Sequence, residues 1–292
     1  MIERGQGTVV RTVEALRAVA DEVRVAGGTV GFLGTSGNLH VGHLTLIRQM
    51  AAECDLAIIP LTEHAVEPVP GLLEFPPGLP AMQRDGAADR LLAIDAGVDV
   101  VFMPAIASMY PRFPVQVRVT PDDDLAAPWP GAEDPGFVRM TATAVLKIWN
   151  VVGPCRYYAG EKDWVPLTVL RRMAEDLSVR VDLVPCPIVR EPDGVCASSR
   201  NARLSAEDRA QAPVLHLALQ EALACIDAGE RSAAQIREVL RARLAPLPVD
   251  YAEVVDARTL RPVEPLAGDL RLLVSVDLSG VHLFDNVGVT IE

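Results

Sequence analysis

The stretch Gly31-Phe32-Leu33-Gly34-Thr35-Ser36-Gly37-Asn38-Leu39-His40-Val41-Gly42-His43 decides the fold. It opens at the end of a short apolar run, Thr29–Leu33, and passes through a glycine-bearing turn. It then enters a helical pattern in which Leu44, Ile47, Ala51 and Cys54 share a face. A buried strand feeding a turn and a helix start is one step of a parallel α/β sheet. Ligands of such sheets bind outside the carboxyl ends of the strands, against helix N-termini. His40 and His43 stand three apart at that helix start and so face the same way, and Gly42 between them removes a side chain where a phosphate chain would approach. Imidazoles, backbone N–H groups and the helix dipole gathered at one place can stabilise charge developing on an α-phosphate. Two other readings of the pair are packed structural histidines and a metal pair. Helical metal pairs favour i, i+4 spacing, however, and no acidic third ligand lies nearby in sequence.

Working outward, the same alternation continues on both sides. Val13, Leu16, Val19 and Val23 recur at helical spacing before Gly27-Gly28. Leu56–Leu61, Val98–Met103, Arg156–Ala159 and Val179–Val184 read as strands, with helical patterns at Asp85–Gly97, Ala142–Val152 and Trp164–Asp176. Strands alternating with helices predict a doubly wound parallel α/β sheet. Residues 64–84 and 120–136, rich in proline, predict long irregular loops. Past residue 187 the order changes. Helical patterns at about 206–228 and 232–244 precede strands near Val249–Asp256, Leu270–Asp277 and Val281–Phe284, which predicts a separate, smaller α+β domain. The expected domains are therefore 1–187 and 188–292.

Composition agrees with such an architecture. The chain has 292 residues, of which 50% are apolar, enough for two cores at about 100–200 residues per domain. Its 27 basic against 39 acidic residues give a formal charge of −12, a balance that argues against wrapping nucleic acid. No run reaches the about 18 uncharged apolar residues of a membrane span, and the N-terminal residues hold no apolar signal-peptide core. Cys54, Cys155, Cys186, Cys196 and Cys225 are odd in number and form no C-x-x-C pair. A cytoplasmic globular protein with reduced, packed thiols is expected.

Two further clusters carry chemistry. Tyr158-Ala159-Gly160-Glu161-Lys162-Asp163 lies where a strand meets a helix: Gly160 allows close ligand approach, Lys162 can reach phosphate, and Asp163 could accept hydrogen bonds from ribose hydroxyls. The alternative there is a solvated helix cap. Val189-Arg190-Glu191-Pro192-Asp193-Gly194 is followed by Ser198-Ser199-Arg200-Asn201, and two hydroxyls before an arginine suit a triphosphate. The alternative is a polar interdomain turn.

On these residues the sequence resembles the pantothenate synthetase (pantoate–β-alanine ligase) family of the H-x-G-H nucleotidyltransferase superfamily. Matching segments include Gly31-Phe32, Leu39-His40 with Gly42-His43-Leu44, Gly97-Val98-Asp99, Met109-Tyr110-Pro111 and Gly160-Glu161-Lys162-Asp163. They continue through Val189-Arg190-Glu191, Asp193-Gly194, Ser198-Ser199-Arg200-Asn201, Asp250–Asp256, Arg271-Leu272-Leu273-Val274 and Asp285-Asn286. The resemblance implies a Rossmann-like domain with a C-terminal lid, a homodimer, and ATP with Mg2+ whose ligands it does not name. It also implies a two-step joining of a carboxylic acid to an amine: ATP and the acid give an acyl adenylate and pyrophosphate, and the amine then displaces AMP. By motif position His40 and His43 would stabilise the adenylation transition state. Lys162, Ser198, Ser199 and Arg200 would hold the β- and γ-phosphates. Gly37, Gly42, Gly160, Asp163 and the Val189 backbone would border the nucleotide.

The acid half departs from the family. Its F-V-N-P-x-Q-F stretch is here Ile59-Pro60-Leu61-Thr62-Glu63-His64, and the second glutamine of its K-D-x-Q-Q is Pro166, beside Trp164. The usual Pro and Met around Thr35 are Gly34 and Ser36. A site that hydrogen-bonds a substrate hydroxyl discriminates only while its partners are present. The departures therefore predict an altered acid, with Thr35, Ser36, Glu63, His64, Trp164 and Pro166 as candidate contacts to acid or amine. A genuine but divergent pantoate–β-alanine ligase, a nucleotidyltransferase acting on a phosphorylated acceptor, and a non-catalytic nucleotide binder are the alternatives.

Overall fold

The computed structural model describes residues 3–35, 37–61, 85–112, 114–122, 125 and 135–292, the side chains of 135–137, 139 and 140 aside. The expected loop at 64–84, most of that at 120–136, and the candidate residues Ser36, Glu63 and His64 lie outside the described residues; the last two residues of the second loop instead open the helix Pro135–Val152, which begins before the expected Ala142. By contacts the chain divides into two compact units. The first is Met1–Thr120 with Arg139–Glu161 and Leu170–Cys186; the second is Pro121–Val138 with Lys162–Val169 and Pro187–Glu292. The last division falls between Cys186 and Pro187, but the segments 121–138 and 162–169 belong to the second unit, which a single cut after 187 would assign to the first.

The first unit holds six parallel strands: β1 (Thr8–Val10), β2 (Val30–Leu33), β3 (Leu56–Pro60), β4 (Val100–Phe102), β5 (Cys155–Gly160) and β6 (Val181–Cys186). Their order is β1-β4-β3-β2-β5-β6, so the expected doubly wound parallel sheet is present. Successive side chains of a strand point to opposite faces, and here they divide between separate cores. Val30 and Phe32, Leu56 and Ile58, Val100 and Phe102, and Tyr157 pack with Leu16, Ala20, Trp149 and Met173. Leu33, Ala57, Ile59, Val101 and Tyr158 pack with Ile47, Met50 and Ala93. Burial on both faces is why the strands read as continuous apolar runs rather than alternating ones. β1, only three residues long and at the sheet edge, is an element that the hydrophobic pattern does not show.

The second unit carries the antiparallel strands β7 (Val249–Asp256), β8 (Gly268–Leu278) and β9 (Val281–Ile291), in that order. Leu270, Leu272, Val274 and Val276 of β8 point to a core shared with Leu215, Leu219, Ile236 and Leu240. The expected helix over 206–228 is two helices, Ala206–Gln211 and Val214–Asp227. Pro213 stands between them, because its ring removes an amide and crowds the preceding turn. β9 runs on to Ile291, well past the Phe284 at which its apolar pattern stops. Asp285 and Asn286 break that pattern, yet both are buried, with their polar groups hydrogen-bonded.

Candidate active site

In the first unit the chain leaves β2 towards β3 and β4 on one side and reaches β5 and β6 on the other. β2 and β5 are therefore the neighbours at which strand order reverses, the place where open α/β sheets bind ligands. The histidine turn follows β2 and Gly160 ends β5, with Leu33 paired to Tyr158. Among the described residues a Cβ at Gly160 would meet only Leu46 Cδ2, at 3.8 Å, so their packing does not demand a glycine there.

The turn is built by two left-handed residues, Gly37 at φ 96° and Asn38 at φ 54°. Gly37 N–H donates to Thr35 Oγ1 at 3.1 Å. The N–H groups of Asn38 and Leu39 each donate to the Asp89 carboxylate at 2.7 Å, and Asp89 is buried on the helix Gly86–Asp95. Motif reading missed this brace. Its sequence signal is an aspartate sharing a buried helical face with Gly86 and Ala93.

His40 is the N-cap of the helix Val41–Glu53, and His43 occupies its third position. His40 Nδ1 accepts from Gly42 N–H at 3.2 Å, and His43 Nδ1 accepts from His40 N–H at 3.4 Å. This is a capping box in which imidazoles fill both side-chain roles, with ring centroids 4.1 Å apart. Since each Nδ1 accepts, a neutral ring carries its proton on Nε2. His43 Nε2 lies 3.4 Å from Thr35 Oγ1. The amides of His40 and Gly42 are thus engaged by the rings.

The second unit gathers the cationic residues. Lys162 sits in a short 3-10 turn, Glu161–Asp163, with Nζ 3.3 Å from Asp163 Oδ1 and 3.6 Å from the centroid of the Phe284 ring. Arg200 Cζ lies 4.7 Å from the same centroid. Ser198 caps the turn Ser199–Arg203, its hydroxyl accepting from Arg200 N–H at 3.2 Å. Lys162, Ser198, Arg200, His282 and Phe284 line one open pocket. Ser199 opens the turn but is not among the lining residues.

The segment before these serines is a tight hairpin in which Ala197 N–H donates to Val189 O and Glu191 N–H to Val195 O. The Val189 carbonyl, part of the backbone expected to border the nucleotide, thus accepts a hydrogen bond within the hairpin. Arg190 donates to the buried Asp285 carboxylate through its two terminal guanidinium nitrogens, Nη1 and Nη2, at 2.6 and 3.0 Å. Arg209 bridges Glu191 and Asp193, and Asn201 Nδ2 ties Glu191 to the Cys196 carbonyl. Gly194, at φ 89°, has room for no Cβ, which would stand 2.4 Å from His216 Cδ2. The V-R-E-x-D-G residues are therefore the frame that presents Ser198 and Arg200.

Trp164 donates its indole N–H to the Ala257 carbonyl at 3.0 Å and stacks under the Arg271 guanidinium at 3.7 Å. Its indole N–H and ring face are thus engaged inside the second unit, which counts against its role as a substrate contact. Asn286 joins the same network, accepting from Arg271 Nε and donating to the Lys162 carbonyl. Pro166 is half-buried in the first turn of the helix Trp164–Asp176. Burial, with the Asp285 carboxylate next, raises the Cys196 thiol pKa strongly, and burial pushes Cys186 up to about 11. Neither is a thiolate near neutrality.

A family model described as Pantoate-beta-alanine ligase matches residues 8–288. The chain is 62% identical over 289 residues to "Pantothenate synthetase 2" of Frankia alni, covering 99% of this chain and 86% of that one. It is 39% identical to "Pantothenate synthetase 1" of the same organism, over 94% of this chain and 96% of the relative. The crystal structure of pantothenate synthetase from Thermus thermophilus superimposes with a TM-score of 0.83 at 36% identity, over 96% of this chain and 98% of that one.

Proposed function

Because the chain belongs to the pantoate–β-alanine ligase family, whose members are ATP-dependent, AMP-forming, amide-forming ligases, we propose that it adenylates a carboxylic acid other than pantoate and passes the acyl group to an amine. The observation that carries the reading is the interlocked His40–His43 pair at the switch point of the sheet. Both rings are held with Nε2 as donor, suited to the charge that grows on an α-phosphate as the acid attacks. Pyrophosphate leaves, and the amine then attacks the acyl carbon and expels AMP. In this reading Lys162, Ser198 and Arg200 hold the β- and γ-phosphates, with Ser199 supporting the turn. Gly37, Gly42, Gly160, Asp163 and the Val189 backbone border the nucleoside and its first phosphate.

Among the described residues no three metal-binding side chains cluster. Mg2+ would therefore ride on the triphosphate, keeping most of its waters, as this cation commonly does. Among the described residues no helix is long and apolar enough to cross a membrane. We take the protein as a cytoplasmic homodimer acting on small molecules.

The altered acid is supported by Pro166 standing where the family has a glutamine. A genuine pantoate–β-alanine ligase is the second reading, favoured by the name of the 62% identical relative. The nucleotidyltransferase alternative loses its ground with the family match. The test is ATP–pyrophosphate exchange over a panel of carboxylic acids, with products identified by mass. Acid-dependent exchange, then AMP and an amide once amine is added, is the expected result. Transfer of a nucleotidyl group to a stable product would overturn the ligase mechanism.

A further inference from the structure

We propose that Phe284 is a positioning residue of the phosphate site, its ring holding the Lys162 ammonium and the Arg200 guanidinium together in readiness for a polyphosphate. The inference rests on the reading of Lys162 and Arg200 as the triphosphate grip. Lys162 Nζ stands 3.6 Å from the ring centroid and Arg200 Cζ 4.7 Å, and all three residues line the same pocket. Two like charges brought together in a partly desolvated pocket repel each other, and their long side chains would otherwise sample solvent. An aromatic face attracts each cation without adding a counter-charge to the one Asp163 already brings to Lys162, so the pair stays gathered while remaining able to meet an anion. An aliphatic side chain of similar bulk would fill the space and hold neither.

The ring is well placed for this. Phe284 is buried in β9, paired with Ser275 of β8. The two residues after it fix its surroundings: Asp285 clamps Arg190 at the base of the hairpin that leads to Arg200, and Asn286 donates to the Lys162 carbonyl. One strand segment, Phe284-Asp285-Asn286, thereby sets the ring and ties down both backbones that carry the cations. Gathering the cations before the nucleotide arrives lowers the ordering cost of binding. The effect therefore belongs to phosphate affinity rather than to the adenylation step.

Ring-fluorinated phenylalanines introduced at 284 in the full chain would test this, since they drain the ring face with little change of shape. Calorimetric Kd values for ATP and for inorganic pyrophosphate would be measured alongside thermal melts. We expect affinity for both to weaken stepwise with fluorine count, reaching about tenfold for the most fluorinated ring, the scale of a partly desolvated cation–π contact. Phe284→Leu should match that loss, and Phe284→Tyr should restore most of the affinity. The rate of acid-dependent exchange at saturating ATP should change by no more than about twofold, as for an interaction made equally in ground and transition states. If Phe284→Leu fails to fold, the fluorinated series still decides. A flat Kd across that series, with ATP binding still weakened by Lys162→Ala, would overturn the role of Phe284 alone. Unchanged ATP binding in Lys162→Ala and Arg200→Ala would overturn the phosphate-grip reading and this inference with it.

Discussion

Each imidazole of the His40–His43 pair does two things at once: it satisfies a helix-end amide through Nδ1 and keeps Nε2 as a donor. The two roles can be separated. In His40→Asn the amide of the side chain still caps the helix, so the melting temperature should change little, whereas His40→Ala should also lose about 1 kcal/mol of cap. Both variants, and His43→Ala, should slow acid-dependent pyrophosphate exchange by about 100-fold or more, the usual loss for a donor that acts on developing charge. ATP affinity should fall far less, because the donors act chiefly in the transition state. Near-normal exchange in all of them would leave the pair a structural cap only. Asp89→Asn keeps one of the two hydrogen bonds to the Asn38 and Leu39 amides. It should cost about 1–3 kcal/mol in a urea titration, the range for bonds to a charged group. The histidines were legible because their spacing after a strand is rare. Asp89 was not, because a single buried acid on a helix is visible only once its partners are known.

At the scale of elements, the strands and helices of the parallel sheet were legible from their apolar runs, and the breaks came where chemistry interrupts periodicity. Pro213 splits one expected helix, and Asp285-Asn286 hides the second half of β9. The same polar pair anchors Arg190 and the Lys162 turn. Asp285→Asn leaves Arg190 without its buried counter-charge, and a loss of about 3–5 kcal/mol is expected in denaturant titrations. A midpoint unchanged from the wild type would show that the hairpin is held by its other bonds. The hairpin also predicts a pH effect. The hydrogen bond from Arg209 holds Asp193 below its ordinary value of 3.8. With the folded pKa depressed, the stabilisation is full above that value and is lost as pH falls through the lower folded value. Wild type should therefore lose stability more steeply below pH 3.8 than Asp193→Asn, read as melting temperature against pH. Parallel curves would remove Asp193 from the account.

Over the whole molecule, the ligase family was legible because the residues proposed for its chemistry cluster in short motifs, His40 to His43, Gly160 to Asp163 and Ser198 to Arg200. The acid's contacts were legible only as departures from a family pattern, and a departure states what has been lost without naming what replaced it. Pro166 is where that loss can be reversed. It occupies the third position of the helix Trp164–Asp176, within the first turn, where proline is tolerated because the amide it lacks would have no helical partner. Glutamine is a good helix former, so Pro166→Gln should fold normally. It would restore the glutamine that the family's K-D-x-Q-Q pattern has at this position. A hydroxyl or carboxylate left without its partner costs about 1–3 kcal/mol, so one restored bond is worth roughly 5- to 150-fold in specificity. Wild type should therefore support pyrophosphate exchange poorly with pantoate. Pro166→Gln should raise kcat/KM for pantoate by at least about fivefold while lowering it for whichever acid the wild type prefers. Efficient exchange with pantoate in the wild type, above every other acid tested and unimproved by Pro166→Gln, would show that the altered residues contact no part of the acid and that the chain makes pantothenate as its relatives do.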